Sequence, residues 1–336
     1  MRSTLTHTQQ RALLAALDAE RYLADDHPRS WNPIAATKHL TTVYRPYPVV
    51  GMITPWNYPF LMPGIDGAAA LAAGAAVLLK PSEVTPLSGV EFARGWAEIG
   101  APPILDVATG YGDTGAALIE QSDFVQFTGS TATGRKVAVA CAQRLIPYGL
   151  ELGGKDPAIV LADADLDRAA NGIAWGGLFN SGQVCVSVER IYVEAPVYDE
   201  FVAKLTERVR SVHQGVDGDT GAMATEGQRD IVAGHVKAAT AAGARVLTGG
   251  EPTGVGTFFE PTVLADVDQS RVPAWWDPSQ VLADPLWQSH AKGPHRDYDA
   301  ASRQIATVDP LNHRNSSVYD AAGRVIARPL TDTRPA

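Results

Sequence analysis

Cysteine is almost missing from this sequence: Cys141 and Cys185 are the only two among 336 residues. Two thiols cannot make a disulfide framework, and a reducing, cytoplasmic setting is expected. Positive charge is scarce as well. Lys and Arg number 28 against 37 Asp and Glu, leaving a net charge of −9, and no basic run exceeds two residues. Nucleic acid and anionic membrane both demand basic patches, so neither is expected as a partner. No apolar run is long enough for a membrane span; the most apolar stretch, Ala68–Leu79, carries Gly74 and ends at Lys80. The start of the chain, Met1 to His7, lacks the apolar segment of a secretion leader. The histidines form no H-x-x-x-H pair and the cysteines no C-x-x-C, so no metal is expected. No internal repeat is visible.

What is present is the composition of a folded, soluble chain, with 45% hydrophobic and 19% charged residues. The length exceeds one ordinary core, which leads to an expectation of two domains. The periodicity predicts an amphipathic helix over residues 8–25 and strands at Thr41–Tyr44 and Val49–Ile53. Helices then alternate with short apolar runs. Helices are predicted at Pro63–Ala73, Ser88–Ile99, Asp113–Glu120 and Thr131–Leu145, with strands at Ala75–Leu79, Ile104–Ala108 and Asp123–Phe127. That alternation implies βαβ units and a Rossmann-like parallel sheet, an α/β fold. A second alternation follows, with strands at Pro157–Leu161, Arg190–Glu194, Arg245–Thr248 and Phe258–Leu264. Its helices are predicted at Leu166–Leu178, Val197–Val212 and Gln228–Gly243. Gly153-Gly154 would let the backbone turn between the halves. The expected division is residues 1–153 as a cofactor-binding domain and 154–268 as a second α/β, catalytic domain. Residues 269–336, rich in Trp, His and Pro, form a divergent, poorly structured tail without a sustained period.

Ligands bind at the carboxyl ends of parallel strands, which selects three stretches. Thr54-Pro55-Trp56-Asn57-Tyr58 offers a neutral amide donor for an oxyanion, or simply a rigid turn with a packed Trp. Lys80-Pro81-Ser82-Glu83 can bracket a ribose, with the carboxylate favouring NAD over NADP, or be an ordinary surface ion pair. Phe127-Thr128-Gly129-Ser130-Thr131-Ala132-Thr133-Gly134 leads from strand to helix. Its free N–H groups would attract phosphate, although any well-capped helix looks similar. In the second half, Cys185 lies in Gly182-Gln183-Val184-Cys185 among small and polar neighbours, the surroundings of a reactive thiol in a turn. A lone cysteine is more often a small buried hydrophobe. Glu151, in Glu151-Leu152-Gly153-Gly154-Lys155, is either a general base or a solvated strand end. Cys141 reads as a packed helix residue.

These five blocks occur in the order found in the aldehyde dehydrogenase superfamily, and the resemblance runs from about Tyr44 to Val267. It implies NAD(P)-dependent oxidation of a small aldehyde to a carboxylic acid. In that family Cys185 matches the nucleophile, Asn57 with the Cys185 backbone N–H the oxyanion hole, and Glu151 the base for the hydrolytic water. Lys80, Ser82 and Glu83 match the adenosine-ribose contacts, and Gly129, Ser130, Thr131 and Gly134 the pyrophosphate turn. Ile53, Thr54, Pro55, Trp56 and Gly153 complete the expected cofactor cradle, with NAD preferred over NADP. Val184, Val186 and Trp175 suggest an apolar approach to the thiol, which leans toward aliphatic or aromatic aldehydes. The family is homo-oligomeric, but neither its subunit-pairing strand nor its Glu-x-Phe-Gly-Pro block is recognisable after Asp266-Val267-Asp268. A shortened start, and a reading-frame change or truncation near Gln269, are the expectation this raises.

Overall fold

The computed structural model describes residues 18–28, 38–215 and 217–267, together with the backbone of five short strands between residues 295 and 327. The chain divides into two compact units, residues 1–269 and 270–336.

The first unit opens, after a short stretch of helix at residues 18–22, with a five-stranded sheet in the order β3-β2-β1-β4-β5. Its strands are β1 (Val49–Ile53), β2 (Ala76–Lys80), β3 (Leu105–Val107), β4 (Phe124–Thr128) and β5 (Tyr148–Glu151). All neighbours are parallel. Helices α1 (Leu61–Ala72), α2 (Pro86–Glu98), α3 (Gly112–Glu120) and α4 (Thr131–Arg144) supply the crossovers. Alternate residues of each strand face opposite ways, so the sheet has two cores. Val50, Met52, Val77 and Leu79 pack with Ala70 and Leu71 of α1 and Phe92 of α2. Val125 and Phe127 pack on the other side with Ile119 of α3 and with Val137 and Cys141 of α4. The strand order reverses between β1 and β4, and the carboxyl ends of both open at that switch point, where ligands bind in such sheets.

Glu151 ends this sheet and Asp156 begins the next. Strands β6 (Asp156–Val160) and β7 (Val188–Val193) pair in parallel around α5 (Leu166–Leu178). Asp165 caps α5 by accepting the Arg168 N–H at 3.1 Å, a helix start worth about 1 kcal/mol. Val160, Ala170 and Ala174 pack with Phe201, Leu205 and Val209 of α6 (Tyr198–Arg210). α7 (Glu226–Ala241) and the antiparallel pair β8 (Arg245–Thr248) and β9 (Val263–Ala265) follow.

Three strand expectations need correction. Thr41–Tyr44 is no strand: Thr42 alone bridges Asp26, and Val43 and Tyr44 are exposed, so β-branched propensity finds no surface to pack on. Phe258–Leu264 shortens to β9 because Pro261 lacks an N–H for a ladder; Phe259 makes one bridge, to Pro252. Tyr148–Glu151, unforeseen, is β5. The helix expected at 8–25 lies mostly outside the described residues. In the second unit, where no strand period was read, β10 (His295–Tyr298), β11 (Gln304–Val308) and β12 (Arg314–Ser316) form an antiparallel sheet. There β13 (Val318–Tyr319) pairs with β14 (Val325–Ala327). No helix among the described residues is long and apolar enough to cross a membrane.

Candidate functional site

Cys185 is exposed and sits at the end of a turn with unusual backbone. Asn180, Ser181 and Gly182 take left-handed conformations in succession, with φ of 51°, 58° and 74°. Such values cost a non-glycine residue about 1–3 kcal/mol, and side chains hold them in place. Ser181 Oγ donates to Gly221 O at 2.9 Å and lies 2.9 Å from Thr220 Oγ1. Asn180 Nδ2 donates to Asn57 O at 3.2 Å, and Gln183 Nε2 to Asn180 O at 3.1 Å. Gln183 Oε1 accepts the Ala224 N–H at 2.9 Å. The turn is thereby fixed from three sides.

Asn57 reaches this turn from the end of β1. Its Nδ2 donates to Gln183 O at 2.8 Å. An amide NH2 carries two hydrogens, so one tethers the cysteine turn and the second remains for a ligand oxygen. On the other side, a Cβ at Gly154 would lie 2.8 Å from the Cys185 carbonyl oxygen. Gly154 is therefore required for close approach. Neither Gly153 nor Gly154 adopts a positive φ. Lys155 pairs with Glu189 and accepts a hydrogen bond from Arg190 Nε at its carbonyl, 2.6 Å away, stitching the Glu151–Lys155 segment to β7. Glu151, exposed at the end of β5, is thus held three residues from the backbone that touches Cys185.

The remaining expected residues line the carboxyl ends of the first sheet. Ile53 ends β1, and Thr54 N–H continues the ladder to Lys80 O at 3.1 Å. Trp56, beside Pro55, accepts the Thr85 hydroxyl at its carbonyl, 3.2 Å away. Lys80 is only 4% exposed; its ammonium donates to Pro81 O at 3.0 Å and meets Glu83 at 3.4 Å. Ser82 Oγ accepts the Val84 N–H at 3.2 Å, which fixes the turn that presents the exposed Glu83. Gly129 N–H donates to Glu151 O at 3.0 Å. Ser130 caps α4, accepting the Thr133 N–H at 3.3 Å, with Thr131 in the first turn and Gly134 buried beneath it. The hydroxyls of Thr54 and Thr128, on neighbouring strand ends, are buried without a hydrogen-bond partner. Such donors are normally satisfied.

Three rings meet at Phe179, the residue that leads into the cysteine turn. Phe179 stacks on Trp175 at 5.0 Å and on Tyr58 at 6.4 Å. Burial, and then the charge of Cys185, push the Tyr58 hydroxyl above its ordinary pKa. Tyr58 and Gln183 stood in the sequence blocks without a role, and Phe179 and Asn180 were not singled out. The aromatic signal was available in Tyr58 and Phe179; the left-handed turn had no sequence signal beyond Gly182. Cys141 is buried in α4, and burial raises its thiol pKa. Among the described residues no cluster of three or more His, Cys, Asp or Glu could hold a metal.

Comparison with known proteins gives a consistent answer. Residues 4–274 match the profile described as the aldehyde dehydrogenase family, extending the similarity from Tyr44 back across a segment that carries no motif. A protein of Mycolicibacterium smegmatis, whose name proposes a succinate-semialdehyde dehydrogenase using NADP(+), is 44% identical over 67% of this chain and 45% of its own. Lactaldehyde dehydrogenase from Escherichia coli superposes with a TM-score of 0.75 at 35% identity, covering 79% of this chain and 57% of the enzyme. An aldehyde dehydrogenase from Bacillus cereus, solved as an NAD+ complex, gives a TM-score of 0.70 at 33% identity, covering 78% and 56% of the two chains. The chain spans about half the length of the curated relatives it matches.

Proposed function

The chain belongs to the aldehyde dehydrogenase family, and from that premise we propose that it oxidises a small aldehyde to the carboxylic acid through Cys185. The observation that carries this reading is the tether of Asn57 to the cysteine turn, which holds an amide donor on the Gln183 carbonyl, two residues before the exposed Cys185. Thiolate addition to the aldehyde carbon forms a thiohemiacetal. Its oxyanion is stabilised by the second Asn57 hydrogen and the Cys185 N–H, donors that do not titrate.

A nicotinamide dinucleotide fits the row of strand ends. Unpartnered, buried Thr54 and Thr128 hydroxyls await an acceptor. The free N–H groups at the start of α4 suit a pyrophosphate, and Glu83, steadied by Lys80, suits ribose hydroxyls. When bound, the nicotinamide supplies a hydride acceptor, leaving a thioester on Cys185. Glu151 then takes a proton from water, the hydroxide carbon–oxygen bond forms, and Cys185 departs as thiolate. The carboxylate of Glu83 supports NAD over NADP, since a 2′-phosphate there would meet a negative charge. The stacked Trp175, Phe179 and Tyr58 support an apolar aldehyde.

Aldehyde-dependent NADH absorbance tests the reading, using purified chain, NAD and a panel of aliphatic, aromatic and acidic aldehydes. The expected signal is lost in Cys185→Ala. A signal unchanged by that substitution, or none from folded protein, overturns it.

A further inference from the structure

Asn57 is fixed twice, both times by the cysteine turn. Its backbone carbonyl accepts from Asn180 Nδ2 at 3.2 Å, and its own Nδ2 donates to Gln183 O at 2.8 Å. Gln183 Nε2 donates in turn to Asn180 O at 3.1 Å. Three side-chain amides thus close a ring, from Asn57 to Gln183 to Asn180 and back. An asparagine amide has a broad terminal torsion, so its partner sets the plane. With one hydrogen on Gln183 O, the planar NH2 has the direction of its second hydrogen set as well.

The ring hangs on a strap formed by residues 219–224. Gln183 Oε1 accepts the Ala224 N–H at 2.9 Å. Ala224 precedes Thr225, which caps α7 by accepting the Gln228 N–H at 3.2 Å. The buried Met223 exchanges two hydrogen bonds with Thr257, donating its N–H to Thr257 O at 3.1 Å and accepting from Thr257 Oγ1 at 2.6 Å. At the far end Asp219 N–H and Thr220 N–H both donate to His213 O, at 2.7 and 3.2 Å. The strap is therefore anchored without help from Cys185 or Asn57. The turn is not held by its own preference, since Asn180 and Ser181 are left-handed without being glycine. Ser181 adds a parallel link to Thr220 and Gly221. Gln183 does more: it meets the strap and also carries the carbonyl that Asn57 uses.

We propose that Gln183 is a positioning residue for Asn57, passing the fixed geometry of the strap to the amide that receives the oxyanion. This rests on the reading of Asn57 as an oxyanion donor. A preorganised donor needs no rearrangement as charge develops on the substrate oxygen. Cutting the link therefore lowers the rate of the chemical step and leaves ground-state binding alone.

A double-mutant cycle of Gln183→Ala and Asn57→Ala on the full chain tests the proposal by two readouts. In aldehyde oxidation, Gln183→Ala should lower kcat by about 10- to 100-fold, the scale of a misplaced group, with aldehyde KM and NAD affinity unchanged. In the Asn57→Ala background the same substitution should cost less than about twofold, because the donor it serves is gone. An equal cost in both backgrounds, or a loss confined to KM, overturns the proposal. The second readout is alkylation of Cys185, which needs neither cofactor nor aldehyde. Each single substitution should speed it about fivefold, the scale of one lost hydrogen bond, and the pair no more than either alone. Accelerations that multiply would contradict the ring. If Gln183→Ala does not fold, Gln183→Glu replaces it in the cycle: the carboxylate still accepts from Ala224 but cannot donate to Asn180 O. If wild type shows no Cys185-dependent turnover, the oxidation reading fails, while the alkylation cycle still decides whether Gln183 and Asn57 act as one unit.

Discussion

The two halves of the first unit are closed to different degrees. The five-stranded sheet has a core on each face, and Met52, Leu79 and Val125 are fully covered. The β6–β7 pair has one. Val160 and Ile191 face α5 and α6, whereas on the other face Ile159 is 71% exposed beside Tyr192. Cooperative stability therefore lies with the first sheet, and the turn that carries Cys185 lies on the open half, held by hydrogen bonds to Asn57, Thr220, Gly221 and Ala224. Chemistry and stability should be separable by mutation.

The largest separation is expected at Cys185. Replacing it with Ala should abolish aldehyde-dependent NADH formation while nucleotide binding and the melting temperature stay close to wild type. A large loss of stability would show that the thiol also supports the fold. Asn57→Ala should lower turnover by about 10²–10³, the usual cost of one oxyanion donor. It should also loosen the cysteine turn, which faster alkylation of Cys185 would reveal.

Leu79→Ala and Ile159→Ala probe the halves directly. The first empties a two-sided core and should destabilise by about 2–5 kcal/mol; the second trims an exposed side chain and should stay within about 0.5 kcal/mol. Equal losses in denaturant titrations would erase the contrast. Glu83→Gln is the gentlest. Removing a charged hydrogen bond to ribose should weaken NAD binding about tenfold and narrow the preference over NADP, with no change in Cys185 alkylation.

Much of the closed half was legible in the sequence because its strands are apolar runs between helices with clear ends. Val49–Ile53 falls where the periodicity puts it, as does Leu166–Leu178 in the open half. β5 was hidden because Tyr148-Gly149-Leu150-Glu151 has a glycine and no apolar run; its neighbour β4 makes it a strand. The opposite error, at Thr41–Tyr44, took propensity for pairing. The site residues were readable as types in order, but their arrangement was not. Nothing in the sequence says that Asn57 donates to Gln183 O, or that Gly154 is glycine to clear the Cys185 carbonyl.

The central claim is that Cys185 carries the acyl group, and intact-protein and peptide mass spectrometry of Glu151→Gln exposed to an aldehyde and NAD tests it most directly. With the hydrolytic base disabled, the chain should gain the mass of one acyl group, located on the peptide containing Cys185. An unmodified Cys185 in folded, NAD-binding protein, or an adduct on any other residue, would contradict the account.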